Sequence, residues 1–79
     1  SGPVNLAAGD RIVLFSDGIS EQPNPAGVMM GYEPIIAALE GSSDTAEDVS
    51  RLLSLLERHA QGKPYVDDVT VASIVFERP

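Results

Sequence analysis

IVLFSDGISE, residues 12–21, sets four apolar residues directly against an aspartate-glycine pair and adds a second carboxylate at Glu21. Ile12, Val13, Leu14 and Phe15 have the β-branched and aromatic character of a strand, and the lack of polar alternation predicts cover on both faces. Asp17 and Gly18 then end it. A turn accounts for this ending, because Asp-Gly is a common way out of a strand, and so does an oxygen ligand for a hard cation. Residues 8–11, Ala-Gly-Asp-Arg, read as the turn that leads in.

Working outward, Gly18, Pro23, Asn24, Pro25, Gly27 and Gly31 punctuate the chain from Asp17 to Gly31 and predict a long loop without regular structure over most of its length. Loops of that length are usually functional or mobile, and Ser20 to Gly31 is the candidate for a segment whose position depends on regulator or substrate. Pro34 suits the first turn of a short helix with Ile35, Ile36 and Leu39 as its apolar stripe and Gly41 at its end. Ser43, Asp44 and Thr45 offer N-caps to a stronger helix, with Glu47 three residues after Asp44. In it Val49, Leu52, Leu53, Leu56 and Ala60 recur at helical spacing, and Gly62 closes it. Residues 69–76, Val-Thr-Val-Ala-Ser-Ile-Val-Phe, form a second strand. The order is strand, loop, helix, helix, strand, an α/β (α+β) composition in one domain without internal repeats.

The 79 residues carry 12 acidic and five basic side chains, a net charge of −7. That balance repels a phosphate backbone and an anionic membrane surface, so neither nucleic acid nor membrane is expected as a partner. No apolar run approaches the length of a membrane span, and a cytoplasmic location is expected. Hydrophobic residues at 43% and charged ones at 22% describe a folded chain. With no cysteine, disulfides and zinc-thiolate sites are excluded.

Asp17 stands at the end of the first strand and Asp67 just before the second. If these strands are antiparallel neighbours, about 4.8 Å apart, both carboxylates fall on one edge of the sheet, where they can share an ion. Oxygen-only ligands select magnesium, manganese or calcium. Asp17, Asp67 and Asp68 also crowd like charges at that edge, which a cation would relieve; the alternative is a turn beside a solvated acidic pair.

Three stretches in order, GDRIVLFSDGISE, MGYEPI and YVDDVTVASIV, resemble the closing half of the PPM-type metal-dependent serine/threonine phosphatases, in the branch of sporulation-stage-II-E and stress-sigma-regulator phosphatases. The resemblance runs from about Gly9 to Phe76. It implies that Asp17 and Asp67 are metal ligands and that Asp68 stands behind Asp67. Glu21, four residues beyond Asp17, and Gly18 are expected either behind the ligands or facing a partner protein, with a solvated loop acid as the alternative reading of Glu21. Met30 stands where the family often has phenylalanine, a difference of packing. The family fold is a β-sandwich flanked by helices, and its site holds two manganese or magnesium ions with ligands from both halves of the domain. The resemblance therefore implies a partial domain that needs the N-terminal half, is inactive alone, and leaves an apolar sheet face uncovered. Its substrate would be a phosphoprotein, in this branch usually an anti-sigma-factor antagonist bearing phosphoserine.

The remaining candidates have structural readings. His59, near a helix end, suits the helix dipole rather than a metal. Met29 and Met30 read as packing, and Arg51 and Arg58 as partners of helical acids such as Glu47 and Asp48. A haloacid-dehalogenase-type phosphatase needs a nucleophilic aspartate two positions before the Asp-Gly aspartate, and Phe15 stands there. A non-catalytic acidic interaction module is the other alternative.

Overall fold

The structure, a computed structural model, describes residues 4–8, as backbone, and 11–75. Its elements are β1 (Val4–Ala8), β2 (Arg11–Phe15), α1 (Asp17–Ser20), α2 (Glu33–Glu40), α3 (Thr45–Ala60) and β3 (Val71–Val75). They form a three-stranded antiparallel sheet in the order β1-β2-β3. β2 is central, pairing Val4 with Phe15 on one side and Phe15 with Val71 on the other. The two expected strands are thus neighbours, and β1 is an addition. Val-Asn-Leu-Ala-Ala has little intrinsic strand preference, and its strand state comes from pairing with β2. Gly9 and Asp10 of the expected turn lie outside the described residues, as does Phe76.

The expectation that β2 is covered on both faces is corrected. Val13 and Phe15 are fully buried, whereas Ile12 is 36% exposed and pairs with Ile74, itself 50% exposed. One face of the sheet carries the helices and the other presents Ile12, Leu14, Ala72 and Ile74, over which no other element of the described residues lies. On the covered face Val13, Phe15, Ile19, Met30, Ile35, Leu39, Leu52 and Leu56 form one core.

Asp44 caps α3 as its sequence predicts, its carboxylate accepting from Glu47 N–H at 2.8 Å. Pro34 sits in the first turn of α2 and Gly41 follows its last residue. Ile36, Leu53 and Met29 are exposed, contrary to their sequence reading, while Met30 is buried. The helices are short or lie on a single sheet, so only the narrow stripe of Ile35 and Leu39, and of Leu52, Leu56 and Ala60, is covered. Gln61 and Gly62 both take left-handed backbone and end α3. No helix among the described residues is long and apolar enough to cross a membrane.

Asp48 is the largest departure from the sequence reading. It is fully buried, and it joins three elements. Its carboxylate on α3 accepts from Arg11 Nε of β2 at 2.9 Å and from the Ser73 hydroxyl of β3 at 2.7 Å. Arg11 also donates to the Ser42 and Ser43 carbonyls ahead of α3. Arg51 pairs with Glu47, at 3.0 Å on the helix surface. Burial opposes ionisation of Asp48, but the Ser42 and Ser73 hydroxyls and the Arg11 guanidinium outweigh it and hold the carboxyl below the ordinary value of 3.8.

Removing this carboxylate strands a largely buried guanidinium. Asp48→Ala is expected to destabilise the protein by about 2–3 kcal/mol in urea unfolding, less than a fully enclosed pair because Arg11 keeps some water. Since the folded pKa is depressed, the contribution is intact above pH 3.8 and is lost as pH falls below it. The difference in unfolding free energy between wild type and Asp48→Ala should therefore shrink in acid.

Candidate functional site

β2 ends at Phe15 opposite Val71, so the residues after one and before the other meet at a single edge of the sheet. Ser16 makes the junction. Its N–H donates to the Thr70 carbonyl at 3.0 Å. Its hydroxyl donates to the Asp68 carbonyl at 2.8 Å and accepts from Thr70 N–H at 3.0 Å. Three bonds from one residue thus extend the β2–β3 ladder past its last regular pair and carry it to Asp68.

The chain then turns into α1 instead of running directly into a loop. Asp17 opens this single turn and is buried, 9% exposed. No donor among the described residues bonds its carboxylate oxygens, which reach solvent, since no buried side-chain oxygen among those residues lacks a partner. Gly18 follows, packed so closely that a Cβ built on it would lie 2.4 Å from the Asp68 carbonyl oxygen and 3.3 Å from that of Asp67. Here the glycine is required by the approach of another backbone rather than by its own dihedrals.

The edge inference from sequence thus holds for the backbone: Asp17-Gly18 and Asp67-Asp68 lie against each other. Asp67 and Asp68 are exposed, and Asp67 Oδ1 accepts from Asp68 N–H at 2.8 Å, which fixes the local turn. Glu21 is different. It follows the last residue of α1, its N–H donating to the Asp17 carbonyl, and its side chain is exposed.

The donor set suits part of a hard-cation site. Asp17 is a largely buried residue whose carboxylate reaches solvent without a protein donor, Asp67 has one oxygen uncommitted, and all the groups are oxygens. It is not a whole site: among the described residues no three acidic or histidine side chains are grouped to hold an ion. A surface pocket of about 300 Å³ lies at the end of α3, lined by Glu57, Ala60, Gly62, Lys63, Pro64 and Tyr65, and includes none of the candidate residues.

The segment after α1 is more ordered than its proline and glycine content predicts. Asn24 closes a turn, its side chain accepting from Ala26 and Val28 N–H, and Met30 and Gly31 return to pair with Gln22 and Ser20. His59 at the end of α3 donates from Nε2 to the Val28 carbonyl at 2.9 Å, a strut under this loop.

Ser16 and Gln22 are the site-shaping residues that sequence reading missed. Ser16 could have been found from its position between a strand and Asp-Gly, where a hydroxyl competes well for backbone groups. Gln22, fully buried, carried no signal, since nothing local distinguishes a buried amide in a polar loop.

The family model described as Stage II sporulation protein E (SpoIIE) matches residues 1–77. No curated protein and no solved structure matches the chain.

Gly18→Ala tests the close approach directly. The added methyl must push the Asp67–Asp68 backbone away, and a loss of about 1–3 kcal/mol in unfolding free energy is expected, in the range of overpacked positions. An unchanged denaturation midpoint would mean that the two segments do not touch.

Proposed function

From the premise that the chain belongs to the stage II sporulation protein E family, we propose that it is the closing portion of a metal-dependent protein serine/threonine phosphatase domain. Asp17 and Asp67 are its ligands to manganese or magnesium. The observation that carries the reading is the packing of Asp67 and Asp68 against Gly18, which sets two acidic segments from distant parts of the sequence at one sheet edge.

Two such ions, when bound, lower the pKa of a water and neutralise the phosphoryl oxygens of phosphoserine or phosphothreonine during in-line attack. Asp17 and Asp67 contribute position and negative charge, and neither transfers a proton. Most of the Asp17 residue is buried while its carboxylate oxygens reach solvent, which leaves them open to a cation. Asp68 acts through its backbone, accepting the Ser16 hydroxyl and holding Asp67 in place. Two carboxylates are too few for two ions, so the other ligands come from the complementary part of the domain. The uncovered face of Ile12, Leu14, Ala72 and Ile74 is the surface on which that part would pack. The substrate in this reading is a phosphorylated regulatory protein of bacterial sigma-factor or stress signalling, met in the cytoplasm.

In the intact domain, Asp17→Ala or Asp67→Ala should weaken manganese binding at one position and lower phosphatase turnover more than about 100-fold, beyond the loss that an outer-shell partner brings. Near-full turnover in either variant would refute the ligand assignment. The 79 residues alone, given manganese and a phosphoserine-bearing protein, should release no phosphate above background; steady release would show that this chain holds a complete site.

A further inference from the structure

Asp17 and Asp67 are bracketed, each on both sides, by hydrogen bonds between their segments. Before Asp17, Ser16 binds Asp68 and Thr70, which follow Asp67. After Asp17, Gln22 binds Pro64 and Val66, which precede Asp67. The Gln22 amide nitrogen donates to the Pro64 carbonyl at 3.3 Å and to its neighbour Pro23 at 3.1 Å, and its oxygen accepts from Val66 N–H at 3.2 Å. The side chain is wholly inaccessible to solvent, although Pro64, Tyr65 and Val66 are themselves exposed. Without that amide, nothing else among the described side-chain contacts ties residues 64–66 to the α1 side.

We infer that Gln22 is a positioning residue for the Asp67 ligand. It fixes the residue before Asp67 while Ser16 fixes the residue after it, and the two clasps set where the Asp67 carboxylate stands relative to Asp17. This rests on the reading of Asp17 and Asp67 as metal ligands. A segment held at both ends presents its carboxylate without first losing conformational entropy, and a segment held at one end must be ordered when the cation binds. The same clasp ties residues 64–66 to the loop that begins at Gln22, because Met30 N–H returns to the Gln22 carbonyl at 3.0 Å. A displacement of that loop therefore reaches Asp67 through one side chain.

The test is Gln22→Met in the intact domain, which keeps the volume and removes all three side-chain hydrogen bonds. Manganese affinity is measured by titration calorimetry, beside the metal-free melting temperature and amide exchange. The manganese Kd is expected to rise about 10-fold, the lower end of the effect of outer-shell partners, with exchange at Val66 and Asp68 accelerated and exchange within α3 unchanged. A manganese Kd equal to that of the parent, with only a lower melting temperature, overturns the inference. Should Gln22→Met fail to fold, exchange in the unsubstituted domain decides: manganese should slow exchange at Val66 N–H, and no change there overturns the inference. Asp67→Ala separates the two levels. Manganese affinity that depends on Asp67 but not on Gln22 overturns only the positioning role, whereas affinity indifferent to Asp67 overturns the ligand assignment beneath it.

Discussion

The Ser16 hydroxyl is the contact on which the site depends. β2 and β3 are regular only as far as Phe15 and Val71, and past that pair two chains leaving a sheet would normally diverge. Ser16 both donates and accepts across the gap, and the Gly18 backbone then finds the Asp67 and Asp68 carbonyls directly against it. A hydroxyl does this because it is donor and acceptor at one atom. Its two bonds to the β3 side, with a third from the Ser16 N–H, convert a strand end into a fixed edge from which two acidic segments project.

Asp48 plays the matching part at the other end of the sheet. A buried carboxylate would usually favour its neutral form, yet donors from two strands and from Ser42 ahead of α3 converge on it and keep it charged. Such a pair adds less net stability than its geometry suggests, because both groups give up water. It specifies registry instead: Arg11 and Ser73 lie on one face of neighbouring strands, and only one placement of α3 brings Asp48 to both.

Much of this was legible before any coordinates, for identifiable reasons. β2, β3 and α3 carry their own local signals in branched residues, period and cap, and the Asp17 and Asp67 juxtaposition follows from topology once the strands are neighbours. β1 was not legible because Asn5, Ala7 and Ala8 have weak strand preference and depend on a partner. α1 was hidden by Gly18, which reads as a turn residue but serves as a point of close packing. Asp48 reads as an ordinary helix-surface acid because the arginine it needs is far away in sequence. Gln22 is invisible for the same reason, its partners at Pro64 and Val66 being supplied by the far end of the chain.

The sheet order has a consequence for assembly. β1 and β2 are adjacent in sequence and pair antiparallel, whereas β2 and β3 are separated by every helix in the described chain. Loop-closure entropy rises with the length closed, so the β2–β3 pairing is the contact with the greater entropic barrier, and helix docking must help to offset it. The edge carrying Asp17 and Asp67 comes into being only with that pairing. A cation bound across this edge would act as a late latch, favouring the closed topology through binding linkage without guiding the earlier steps.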